Sequence, residues 1–171
     1  GADWYSGTDY TNEEHKKKMM ESVRQVVMEY KDEPYILMWM LGNENNYGYA
    51  GTPNVEPGMG CRAKIQPDAY YAFVNEVAKM IKSIDPNHPV AICNGETVYI
   101  DYFAKYCTDV DVFGANVYRG PYGFGRTYWE DVKDMTDRPT MITEYGCPSY
   151  LKDDPARGEE FQAGYHKGNW E

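Results

Sequence analysis

Apolar residues fall into two alternating patterns along this chain. From Thr11 to Pro34 they recur every three to four positions (Met19/Met20, Val23, Val26/Val27, Tyr30), the period of one helix face. Thr11 and Glu14 ahead of this run read as a capping box, and Pro34 closes it. Residues 35–41 are instead a continuous apolar run, as expected for a strand covered on both faces. Residues 42–66 are rich in Gly, Asn and Pro and have no period, which predicts a loop long enough to be functional. The two patterns then repeat. Pro67 suits the first turn of a helix whose stripe is Tyr70, Phe73/Val74, Val77, Met80/Ile81 and Ile84, stopped by Asp85-Pro86. Strands are predicted at 90–93, 110–115 and 140–143, with helices at 98–106 and 127–135 and the start of another at 158–171.

This order, a helix followed by strand–loop–helix units, gives a parallel sheet flanked by helices. No sequence repeat or interdomain linker divides residues 1–171, so a single domain is expected. A small open doubly wound sheet and part of a (β/α)8 TIM barrel both fit. The strand ends favour the barrel, because each carries polar, chemistry-capable residues: Asn43-Glu44, Asn94 to Glu96, Asn116 to Tyr118, Glu144-Tyr145. Barrel enzymes draw on many strand ends, whereas an open sheet concentrates its site at one crevice. At 171 residues the chain is shorter than the roughly 250 of a full barrel, so a partial barrel is expected.

Composition narrows the partners. A net charge of −10 disfavours nucleic acid, whose phosphates call for clustered Lys and Arg. The one basic run, Lys16-Lys17-Lys18, follows Glu13-Glu14 on a predicted helix and reads as a solvated face. No stretch approaches the roughly 18 apolar residues of a membrane span. Cys61, Cys93, Cys107 and Cys147 lack metal-ligand spacing and read as buried free thiols, with a disulfide as the alternative, whose pairing the sequence does not give. His15, His88 and His166 are scattered, and no metal or cofactor is expected. Aromatics make up 15% of the chain, enough to furnish both a core and flat platforms for sugar rings. Trp39 and Trp129 fall inside predicted elements and are expected in the core, whereas the loop residues Tyr47, Tyr49 and Tyr122 are the platform candidates.

Two glutamates concentrate the chemistry. Glu44 ends Trp39-Met40-Leu41-Gly42-Asn43, and Glu144 ends Met141-Ile142-Thr143. Parallel strands bring their C-terminal ends to one rim, so both carboxylates should emerge together. Facing carboxylates suit glycosidic bond cleavage, about 5–5.5 Å apart for retention of configuration and about 6.5–9.5 Å for inversion. Either glutamate has a plainer reading, Glu44 as a partner of a helix dipole and Glu144 as half of an ion pair. Neither explains why the two recur at equivalent strand ends. Asn43, Asn94, Asn116 and Tyr118 share the predicted rim and are candidate substrate contacts, with Glu96 and Arg119 beside them; turns favour such residues in any case.

Residues Gly42 to Gly48, Asp111 to Gly120 and Thr143 to Gly146 resemble the fourth, sixth and seventh strand motifs of the clan A glycosidase barrels, in particular glycoside hydrolase family 2. The resemblance runs from about Asp9 to the last residue and implies that strands one to three precede Gly1 and the eighth follows Glu171. It implies a retaining β-glycosidase with Glu44 as acid/base, Glu144 as nucleophile, Asn43 on the hydroxyl beside the reacting carbon and Tyr118 next to the nucleophile. The Glu-Tyr-Gly-Cys stretch is also similar to fungal β-1,3-glucan transglycosylases of the same clan, so transfer stands beside hydrolysis, as does sugar binding without turnover. A carbohydrate is the expected partner. A homo-oligomer through the open barrel edges is a second possibility, and a secreted or periplasmic location is favoured over the cytoplasm.

Overall fold

The computed structural model describes residues 8–47 and 62–170. In chain order they form α1 (Glu13–Tyr30), β1 (Trp39–Leu41), α2 (Pro67–Ile84), β2 (Val90–Gly95), α3 (Ile100–Tyr106), β3 (Val112–Asn116), α4 (Tyr128–Met135), β4 (Thr140–Glu144) and α5 (Pro155–Trp170). The four strands make one parallel sheet in sequence order, with each crossover carrying a helix. This is a run of consecutive βα units, as in an arc of an eight-fold barrel. Among the described residues no helix is long and apolar enough to cross a membrane.

Local chemistry explains most boundaries. Proline at the first turn of α2 costs no hydrogen bond, and the predicted stripe lies in the core from Tyr70 to Ile81, with Ile84 partly buried at its edge; Tyr71 and Ala78, outside that stripe, are fully buried as well. The α2 helix packs on α3 and β2, and each such large apolar side chain stabilises the fold by about 1.5–3 kcal/mol. At α1 the expected Thr11/Glu14 box does not form. The cap is Asn12, whose Oδ1 accepts from the Glu14 and His15 amides at 3.0 and 3.2 Å, while Thr11 bonds Asp9 instead. Lys16 is not solvated as its run suggested: it pairs with Glu13 and Glu76 and lies 5.7 Å from the Phe73 ring centroid.

The first strand is shorter than its apolar run. Pairing starts where the Trp39 amide reaches the Pro89 carbonyl; among the described residues no strand lies beside the earlier ones, and Tyr35 and Leu37 are exposed. Met40 is exposed too, so β1 is not covered on both faces. Trp39 is half-buried and donates its Nε1–H to Asp85 at 2.8 Å. Trp129 lies on the outer side of α4 at 45% exposure, not in the core. Cys93, Cys107 and Cys147 are free thiols, the first two buried; Cys61 and Tyr49 lie outside the described residues.

Candidate active site

Strand parity decides which side chains meet. On β2, Ile92 and Asn94 face the helices, while Cys93 and Gly95 face the inner side of the arc. Backbone bonds carry the pairing past the formal strand ends: Glu44 N–H to Cys93 O (3.0 Å), Glu96 N–H to Asn116 O (3.1 Å) and Val117 N–H to Glu144 O (2.8 Å). The four strand ends are thereby held in one rim.

Glu44 has a φ of 54°, a left-handed conformation uncommon for a non-glycine residue and concentrated at functional sites. Two devices hold it there. Gly42, at φ 72°, comes so close to Asn45 that a Cβ would lie 2.8 Å from its Oδ1. Asn46, 1% exposed, accepts from the Gly95 amide at 2.7 Å and donates to the Gly95 carbonyl at 2.9 Å. Asn46 thus takes the place of the strand partner that the backbone stops providing after Glu44.

Glu144 owes its position to a bulge. Ala115 pairs with Ile142 but Asn116 pairs with Glu144, so β4 carries an extra residue, Thr143. Thr143 points inward and donates its hydroxyl to Asn116 Oδ1 at 2.6 Å. Glu144 is exposed and accepts the Tyr118 hydroxyl on Oε2 at 2.9 Å. That bond, with some burial and the charges of Glu144 and Glu44, pushes the Tyr118 phenol up to about 12, so it remains a donor at ordinary pH.

A buried network joins the two sides. Asn116, 1% exposed, donates Nδ2 to Glu44 Oε1 and to Asn43 Oδ1, both at 3.1 Å. The Cys93 thiol lies within 3.2 Å of the Asn43 and Asn116 carbonyl oxygens and 3.4 Å of the Thr143 hydroxyl. Burial raises its pKa, and the charges of Glu144 and Glu44 add to this, so the thiol also stays protonated. Both carboxylates therefore exert their field on Cys93 and on Tyr118.

Of the sequence candidates, Glu44, Glu144, Asn43, Asn116 and Tyr118 are brought together here. Asn94 is not. It sits on the helix side, 1% exposed, accepting from Tyr71 at 2.7 Å and donating to the Glu96 and Val98 carbonyls at 2.8 and 3.1 Å, which corrects the expectation of a substrate contact. Glu96 and Arg119 are taken up by each other in a two-pronged ion pair (2.8 and 2.6 Å) that ties the loops after β2 and β3, with Arg119 over the Tyr128 ring. Tyr47 lies flat against Gly95, where a Cβ would come 2.3 Å from its ring, and keeps 37% exposure beside Glu44, as a platform would. Tyr122 is well exposed, at 78%. Sequence reasoning assigned no role at the site to Thr143, Cys93 or Asn46. For Cys93 the alternation along β2 could have shown it, since Cys93 shares a face with Gly95.

A parallel arc of βα units with acidic and amide side chains gathered at the strand ends is the arrangement found in barrel enzymes, whose sites lie at the C-terminal face. Residues 4–151 match the family described as glycosyl hydrolases family 2, TIM barrel domain, and the chain belongs to that family. It is similar to mannan endo-1,4-beta-mannosidase F of Aspergillus clavatus, 27% identical over 85% of this chain and 34% of the relative. A shorter match is probable mannan endo-1,4-beta-mannosidase C of Aspergillus terreus, 34% identical over 44% of this chain and 18% of the relative. Among solved structures, a calcium-binding mutant of Bacteroides uniformis beta-glucuronidase 2 superposes with a TM-score of 0.67 at 16% identity, covering 93% of this chain and 20% of that one. The Rhizomucor miehei endo-1,4-beta-mannanase gives 0.60 at 21% identity, with coverages of 81% and 46%. These likenesses establish the fold as that of a TIM barrel. The chain spans about a third of the length of the curated relatives it matches.

Proposed function

We propose that residues 1–171 form one partial catalytic domain of a retaining β-glycosidase, with Glu144 as nucleophile and Glu44 as acid/base. Glu144 attacks the anomeric carbon through the oxygen that Tyr118 does not hold, as Glu44 passes its proton to the departing glycosidic oxygen. Glu44 then takes a proton from water. The resulting hydroxide oxygen bonds to the anomeric carbon, and Glu144 leaves as carboxylate. Asn43 presents its Nδ2–H to the hydroxyl next to the reacting carbon, since its Oδ1 is engaged by Asn116.

The observation that supports this reading is that Asn116 and Tyr118, two residues apart at the end of β3, donate to Glu44 and Glu144 respectively. The curated relatives are named for β-1,4-mannan, which makes β-mannosides the first substrates to test. The edges of β1 and β4 pair on one side only among the described strands, which leaves each open to a further strand.

The test is trapping with a 2-fluoro sugar bearing a good leaving group. A covalent sugar on the peptide containing Glu144 is expected. Reversible binding with no label would leave a sugar-binding domain, and a label on another carboxylate would overturn the assignment. Products formed with an added acceptor sugar separate transfer from hydrolysis.

A further inference from the structure

We infer that Asn116 is the positioning residue for the acid/base and that Thr143 sets its orientation; this rests on the reading of Glu44 given above. An amide side chain has two acceptor sites on oxygen and two hydrogens on nitrogen. At Asn116 all four have partners: Thr143 Oγ1 (2.6 Å) and Cys93 Sγ (3.2 Å) at Oδ1, Asn43 Oδ1 and Glu44 Oε1 (both 3.1 Å) at Nδ2. With 1% of its surface exposed, Asn116 has nothing left to offer a sugar. It acts through its neighbours.

The amide can stand only one way round. Reversed, its oxygen would face the Asn43 carbonyl oxygen and the Glu44 carboxylate, both acceptors. The Thr143 hydroxyl enforces the working orientation by donating to Oδ1. Thr143 reaches that oxygen because it follows the core-facing Ile142 on β4 and so faces inward, and because Gly114 leaves space, where a Cβ would lie 2.8 Å from Thr143 Cγ2. The Cys93 hydrogen has three acceptors in reach and fills whichever is open.

Two consequences follow for catalysis. The Asn116 N–H occupies Glu44 Oε1, so in the acid form the proton resides on Oε2, the oxygen left for the glycosidic bond. A neutral donor also keeps that grip whether Glu44 is protonated or ionised, so the side chain need not reorient between the two half-reactions. Through its second hydrogen Asn116 pins Asn43 Oδ1 and turns Asn43 Nδ2 outward. One buried amide thus aligns both the proton donor and the hydroxyl contact.

The test compares aryl glycosides with poor and good leaving groups in the complete barrel enzyme. Asn116→Ala and Thr143→Val should lower kcat/KM for phenyl glycosides on the order of 10- to 100-fold, with dinitrophenyl glycosides spared to within about 3-fold, because only poor leaving groups need the proton. Thr143→Ser keeps the hydroxyl and should restore most of the loss. Glu44→Gln is the benchmark. If it shows the split and Asn116→Ala lowers both substrates equally, the positioning role is wrong. If Glu44→Gln shows no split, the fault lies with the acid/base reading. A second measurement needs no turnover: in protein labelled with 15N-asparagine, the Asn116 side-chain amide signals should shift in Glu44→Gln and Thr143→Val and stay put in Thr143→Ser. Signals indifferent to Glu44→Gln would overturn the inference whatever the kinetics.

Discussion

Replacing Asn46 by alanine would remove the side chain that stands in for a strand. On the side of β2 facing β1, the Gly95 N–H and C=O are met by Asn46 at 2.7 and 2.9 Å; the Val98 carbonyl, 3.2 Å from Asn46 Nδ2, also accepts from Asn94 at 3.1 Å. Val98 therefore keeps a partner in the variant. Gly95 does not: its buried N–H loses this donor's acceptor, and its carbonyl is left with a long 3.4 Å contact from Asn94. A buried polar group left unmet costs about 1–3 kcal/mol, and two such groups, one of them partly served, give about 2–4 kcal/mol. For a domain of this size that corresponds to a fall in Tm of about 5–12 °C. Urea unfolding measures it directly, through a lower midpoint at unchanged slope. Asn46→Asp keeps the acceptor for Gly95 N–H but sets a carboxylate oxygen against two carbonyls, so it should be no more stable than the alanine variant. A loss below about 0.5 kcal/mol for Asn46→Ala would refute this account, since surface positions without such bonds fall in that range.

Gly114→Ala should destabilise the sheet by about 1–3 kcal/mol or more, because the new methyl would lie 2.3 Å from the Ile92 carbonyl oxygen and 2.8 Å from Thr143 Cγ2. An unchanged Tm by calorimetry would contradict that close approach. Acid should weaken the fold through Asp85. Burial pushes its carboxyl up, but hydrogen bonds from Trp39, His88 and the Asn87 amide outweigh that and hold its pKa below the ordinary value. A depressed folded pKa contributes stability above the unfolded value of about 4, and that contribution disappears as pH falls through the lower folded value. Asp85→Asn should flatten the dependence of the unfolding midpoint on pH below about 4; an unaltered dependence would assign it elsewhere.

How much of this was legible beforehand varies with the range of the forces involved. The α2 helix ran from 67 to 84 as its stripe and breakers indicated, since both signals are local. The rim of Glu44, Asn43, Asn116, Tyr118 and Glu144 was legible too, because parallel pairing aligns strand ends whatever the details. Asn94 was misplaced because Asn and Gly are poor strand formers and the strand was ended at Cys93. Pairing with β3 carries β2 on to Gly95, and alternation then turns Asn94 to the helices. The overlong first strand failed for a related reason. Apolarity marks what can be buried, but a strand forms only where a neighbour exists, and β1 finds one from Trp39 onward. The bulge that sets Thr143 and Glu144 on the same side could not have been assigned, since it depends on how β3 and β4 fall into register.

The extra residue in β4 makes that stretch sensitive to length rather than to composition. Side chains alternate faces along a strand, so Thr143 and Glu144 can both face inward only because the bulge adds a residue; deleting Thr143 would seat Glu144 in its place and strip Asn116 of the hydroxyl that orients it. Substitutions there can be graded, from Thr to Ser to Val, but an insertion or deletion acts all at once. Diversified libraries of this strand should therefore yield functional members by replacement alone, and no surviving clone should differ from its parent in the number of residues.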